Sequence, residues 1–194
     1  MTALFDVTVR VVTALEAIGV TYSVGGSLAS SISGEPRASI DADIVVDMTM
    51  NGIARFIEAL GGDFYADRSA IERAVAARTT VNLIHRPTGV KIDLFMAGTP
   101  LEKLQLERRR SVLVPSSPPR TLYVHTAEDI LLQKLAWFRQ GGEVSDRQWR
   151  DALGVVAVQG PRLDRDYLRR TAPVAGVADL LTRAFDEADR SSLP

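Results

Sequence analysis

The chain has 194 residues, enough to bury a full hydrophobic core in one domain, or in one domain with a small appendage. Hydrophobic residues make up 46% and charged residues 24%, with 14 glycines and 9 prolines, a composition that excludes disordered and collagen-like architectures. The net charge of -1 gives no global attraction to nucleic acid or anionic lipid, and the absence of cysteine removes disulfide frameworks, thiolate metal sites and cysteine nucleophiles.

In chain order, Leu4, Val7, Val11, Leu15 and Ile18 recur at helical spacing before Gly19, which predicts an opening amphipathic helix with a glycine C-cap. The start carries no positively charged leader and Glu16 breaks its only long apolar stretch, so neither a signal peptide nor a membrane span is expected, and cytoplasm is the expected compartment. A short strand over 21–24 runs into Gly25-Gly26-Ser27, followed by one or two helical turns over 28–33 and a loop Gly34-Glu35-Pro36-Arg37. Residues 40–46 read as a strand, and 52–60 as a helix ended by Gly61-Gly62. Residues 69–77 read as a helix with Ser69 as N-cap and Glu72 three residues on. The runs 80–85 and 90–95 are strands. Arg86-Pro87-Thr88-Gly89 between them has proline second and glycine fourth, which predicts an antiparallel hairpin. A charged helix should run from Pro100 to Arg110, and the proline-rich stretch 115–119 separates two short extended pieces. Beyond Thr126 the pattern is helical only, with capping-box pairs Thr126/Asp129 and Ser145/Gln148, breaks at Gly141-Gly142 and Gly160-Pro161, and a last helix over 174–188. The expected fold class is therefore α/β of the α+β kind: a mixed-sheet core over residues 1–124 and a helical subdomain over 125–194 packed on it.

The carboxylates carry the chemistry. In the strand 40–46 the period of two puts Ile40, Ala42, Ile44 and Val46 on one face and Asp41 and Asp43 on the other. Aspartate is depleted in strands, so two on one face need a reason. The hairpin's second strand repeats the pattern, with Asp93 opposite Ile92 and Leu94, and if the two strands are neighbours three carboxylates converge. Two carboxylates about 5 Å apart repel by about 3 kcal/mol at an effective dielectric near 20, which a divalent cation would relieve. Oxygen-only ligands without nearby histidine suit Mg²⁺, or Mn²⁺, completed by substrate phosphates; a solvated polar face is the alternative reading of the same spacing. Gly25-Gly26-Ser27 admits two readings as well. It is either an ordinary strand-to-helix turn, or a turn whose backbone approaches a triphosphate and aims N–H groups at it. It is neither a Walker loop nor a dinucleotide fingerprint.

Taken in order, Gly25-Gly26-Ser27, a helix, Gly34-x-Pro36-Arg37, Asp41-x-Asp43 in an apolar strand and a later Asp93 resemble the nucleotidyltransferase superfamily that shares the DNA polymerase beta fold. Within it the chain looks most like small bacterial nucleotidyltransferases related to abortive-infection toxin enzymes. Glu128-Asp129 through Lys134, then Arg150-Asp151, resemble that group's helical region. The resemblance implies that Gly25, Gly26 and Ser27 hold the β- and γ-phosphates of an NTP. It implies that Asp41 and Asp43 bind two Mg²⁺ ions, and that Asp93 completes the second and helps deprotonate an attacking hydroxyl. Lys134 and Arg37 would neutralise the triphosphate. The implied reaction moves a nucleoside monophosphate to a hydroxyl on RNA, protein or a small molecule, with a toxin role and a cognate antitoxin protein among the expectations. A catalytically silent module of the same fold, acting through a protein or RNA partner, is the alternative. Two positions depart from the family pattern: Ala42 stands between the aspartates, and Gln148 stands where an acid is expected, which leaves Asp151 between a role at the nucleotide and an exposed helix position.

His85 and His125 lack partners at zinc-ligand spacing and are expected to be structural or surface residues. Arg108-Arg109-Arg110 reads as a solvated helix end, with RNA phosphate contact as the alternative. Trp137, Phe138 and Trp149 are expected to fill the interface between the two parts.

Overall fold

A computed structural model describes residues 2–33 and 41–191. The opening helix α1 (Thr2–Ala17) buries Leu4, Val7, Val11 and Leu15 as its spacing requires, and Gly19 ends the turn behind it at φ 72°. The strands β1 (Tyr22–Val24), β2 (Asp41–Val46), β3 (Phe64–Tyr65), β4 (Thr80–His85), β5 (Val90–Met96), β6 (Arg110–Val114) and β7 (Arg120–Val124) form one sheet in the order β3-β4-β5-β2-β1-β7-β6. The pairs β2/β5 and β1/β7 are parallel and the rest antiparallel, so the sheet is mixed. The hairpin β4/β5 forms at the place its sequence predicts, but its turn opens one residue earlier: the His85 carbonyl accepts from Thr88 N and Gly89 N, which puts Pro87 third, and Gly89 takes φ 71°.

Period-two alternation decides which residues enter the core. Ala42, Ile44 and Val46 of β2, with Ile92, Leu94 and Met96 of β5, face α1 together with α3 (Ile53–Leu60) and α4 (Arg68–Ala77), whose Ile53, Phe56 and Ile71 are fully buried there. The other face is covered by α2 (Gly26–Ser33), α5 (Pro100–Arg108) and α6 (Ala127–Gln140). Phe95 of β5 lies 5.7 Å from the Trp137 ring of α6, centroid to centroid. A second apolar cluster joins α6 to α7 (Asp146–Gln159), α8 (Arg165–Thr171) and α9 (Ala178–Ser191), and takes in Ala29 of α2 and Leu101 of α5. Helix α2 is thus held on both sides, since its Leu28 belongs to the first cluster.

Several boundaries differ from the sequence reading. The N-cap of α4 is Asp67, which accepts from Ala70 N, and Ser69 lies inside the helix. Helix α5 stops at Arg108 instead of Arg110, because Arg109 turns extended (ψ 144°) and Arg110 pairs with Val124 to open β6. The last helix begins at Ala178 instead of Val174, the turn before it closed by Gly176 at φ 68°. Strand β3 was not expected; it pairs Phe64 with His85 at the sheet edge. The arginine row is not a solvated helix end. Arg108 lies 3.6 Å from the Tyr167 ring centroid and 3.7 Å from both Glu128 and Asp129, tying α5 to α6 and α8, while Arg109 lies over Tyr123.

Candidate active site

The glycine turn is pinned on both flanks. The Val24 carbonyl, at the end of β1, accepts from His125 N at 2.9 Å, and Gly25 N donates to the Asp43 carbonyl at 2.8 Å, which extends the ladders to β7 and β2 by one residue. Both glycines are required by close approach. A Cβ on Gly26, which sits at φ 57°, would lie 1.6 Å from Asp43 Oδ2, and a Cβ on Gly25 would lie 2.6 Å from His125 Nε2. The α-carbon of the turn therefore rests on the carboxylate of the next strand. Ser27, in the first turn of α2, is 2% exposed, and its Oγ accepts from Arg147 Nη2 at 3.2 Å. Gln133 Oε1 reaches Gly26 N only at 3.5 Å.

The parallel register of β2 and β5 places Asp43 opposite Asp93 and Asp41 opposite Lys91, so the carboxylates meet across neighbouring strands as their alternation requires. Burial, then the charges of Asp93 and Asp41, push the Asp43 carboxyl up to about 6, against the smaller opposing pull of Lys134 and Lys91. Asp93 gives one oxygen to Lys91 Nζ at 2.8 Å, and its other oxygen, Oδ1, is buried with no hydrogen-bond partner among the described residues. Among the described residues no three His, Asp or Glu side chains are gathered closely enough to hold a metal ion. The chemistry of the donor set nevertheless fits a hard divalent cation: the ligands are all oxygen, one oxygen is buried and orphaned, and the carboxylates destabilise one another in its absence.

Lys134 comes from α6 with its side chain 1% exposed and its Nζ 2.9 Å from Asp151 Oδ2 and 5.3 Å from the Trp137 ring. Asp151 is accordingly not an exposed helix residue; its side chain is 10% exposed and holds the lysine. Arg37 lies outside the described residues. His85 is structural as expected, bound to Arg10 and Thr88. His125 enters the site's support: it is fully buried, its Nδ1 is 2.6 Å from Ser23 Oγ, and its ring lies under Gly25. Trp137 packs against Phe95, and Phe138 against Trp149. Sequence reasoning missed His125, Gln133 and Arg147. Their roles follow from the pairing of β7 with β1 and from the way α6 and α7 lie over the turn, neither of which leaves a local pattern.

A mixed sheet with helices on both faces and a glycine turn against paired carboxylates is a nucleotidyltransferase-like fold. The chain has 10% identity to the antibiotic-resistance factor ANT(2'')-Ia, with a TM-score of 0.56 over 98% of each chain. With an antigenic nucleotidyltransferase-like protein from Paracoccidioides brasiliensis it has 17% identity and a TM-score of 0.50, covering 89% of this chain and 93% of that one. No protein-family model and no curated protein matches the sequence. Among the described residues no helix is long and apolar enough to cross a membrane.

Proposed function

We propose that the protein is a Mg²⁺-dependent nucleotidyltransferase that moves a nucleoside monophosphate from an NTP to a hydroxyl acceptor on RNA, a protein or a small molecule. The observation that carries this reading is the contact of Gly26 with Asp43, itself in register with Asp93, because it sets the glycine turn directly beside paired carboxylates. Gly25, Gly26 and Ser27 hold the β- and γ-phosphates. Lys134, steadied by Asp151, faces their charge, and Arg147 on Ser27 is a cation at the same turn. Asp41, Asp43 and Asp93 hold Mg²⁺ or Mn²⁺, which when bound stabilises charge on the transferring phosphoryl group. Asp93 Oδ1 accepts the proton of the attacking hydroxyl. The core over residues 1–124 carries the carboxylates and the turn, and the helices over 125–194 complete the cleft. Kinship with the abortive-infection toxin enzymes, a cytoplasmic location and a neutralising antitoxin partner belong to the same reading.

Calorimetric titration of each ribonucleoside triphosphate with and without Mg²⁺ tests it, in the natural protein and in a folded Asp41→Asn/Asp43→Asn variant. Metal-dependent binding that the variant loses is expected, followed by label transfer from an α-phosphate-labelled NTP to an acceptor. No binding by the natural protein at saturating nucleotide would leave the fold as a silent binding module.

A further inference from the structure

We propose that a cavity of 540 Å³ at the other end of β2 and β5 binds a small phosphate monoester bearing hydroxyl groups, of the sugar-phosphate kind. Its lining includes Asp47, Arg78, Lys103, Leu106, Glu107 and Arg109, and its size lies in the range of small-molecule sites. Asp47 stands four residues beyond Asp43, roughly 13 Å at the rise of a strand. Val45 and Phe95, packed with Ala97 and Leu106, fill the sheet between the two places. The cavity is thus separate from the carboxylate site, and its assignment does not rest on the transfer reading.

Three cations converge there with donors to spare. Arg78 adopts a left-handed backbone (φ 52°, ψ 49°) at the end of α4, where glycine or asparagine is usual, at a cost on the order of 1 kcal/mol. A strained arginine points to a use for its side chain. Its Nη1 reaches Asp47 at 3.4 Å and the Ala97 carbonyl at 3.2 Å, and among the described residues Nε and Nη2 have no further partner. Among the described residues Arg109 Nε is buried with no hydrogen-bond partner, and Lys103 lines the same cavity. Planar guanidinium groups and an ammonium suit phosphate oxygens. Asp47 and Glu107 supply acceptors for hydroxyl groups, and in a chain of net charge -1 they disfavour an extended polyanion.

Titration of ribose-5-phosphate into metal-free protein, followed by calorimetry, tests the site, with inorganic phosphate and a single-stranded RNA oligonucleotide as comparison probes. Binding is expected to weaken about tenfold in Lys103→Ala and in Arg78→Gly, each removing a charge-assisted contact. The Arg78→Gly backbone suits the left-handed position, and circular dichroism checks that both variants are folded. The Asp41→Asn/Asp43→Asn variant should bind as the natural protein does. The proposal is overturned by absence of binding, by loss of binding in the double aspartate variant, by inorganic phosphate binding as tightly as the ester, or by the oligonucleotide binding more tightly.

Discussion

Asp43 and His125 lie on either side of the glycine turn and are perturbed by burial in opposite chemical senses. The Asp43 carboxyl sits at about 6 in the fold against an ordinary 3.8, so the folded chain holds that proton more tightly than the unfolded chain. Its ionisation therefore destabilises the fold, fully above pH 6 and not at all below 3.8. Asp43→Asn should raise the stability of metal-free protein at neutral pH by about 3 kcal/mol while abolishing the proposed nucleotide transfer. Urea midpoints at neutral pH and below 3.8 check this, and a variant less stable than the natural protein at neutral pH would sink the argument. Burial moves the His125 imidazole down from 6.5 to about 3, so the fold requires it neutral. Its contribution is intact above pH 6.5 and is lost as the pH falls toward 3, because only the unfolded chain takes up the proton. His125→Gln should flatten the stability profile over that interval by about 1.4 kcal/mol per pH unit, and an unchanged slope would show that the ring is not the source.

The helices α6 and α7 meet at Lys134 and Asp151, a pair with side chains 1% and 10% exposed. Asp151→Leu takes the carboxylate away from a lysine side chain that is 1% exposed, so it should cost roughly 3 kcal/mol, and adding Lys134→Met should recover most of it. The double variant should fold and fail to bind NTP. A double-mutant cycle with no coupling would break the argument. At this scale the sequence was legible wherever one face of an element is buried: alternation in β2 and β5 sorted Asp41, Asp43 and Asp93 from their apolar neighbours, and the Pro87 and Gly89 signals located the hairpin, if not the residue at which its turn opens. Boundaries were less legible where two signals compete within a few residues. Asp67 and Ser69 are both capping residues and only tertiary placement chose Asp67; the run from Arg108 to Arg110 is polar throughout, so nothing local marked the change from helix to strand.

For the whole molecule, composition and patterning indicated the fold class, because strands followed by uninterrupted helices have few ways to bury their apolar faces. The strand order was not indicated. The pairing of Val24 with Val124 joins positions 100 residues apart, and it is this pairing that brings His125 beneath the turn and opens the way for Gln133 and Arg147. The same connectivity binds the apolar clusters together, with Leu28 in one and Ala29 in the other. Unfolding should therefore be a single cooperative transition. Fluorescence of Trp137 and Trp149, both in the helices, should melt together with the far-ultraviolet signal of the whole chain; earlier loss of the fluorescence would show the helices to be independent.

The long-range bridge between β1 and β7 also sets an order of events. Contacts of high sequence separation form late, since the loop between them must be closed first. Pulse-labelled hydrogen exchange during refolding should find the β4 and β5 amides protected before that of His125, whose N–H closes onto Val24. A chain still emerging from the ribosome would already hold its aspartates in a hairpin and a neighbouring strand, yet would lack the ring under the glycine turn until His125 arrived.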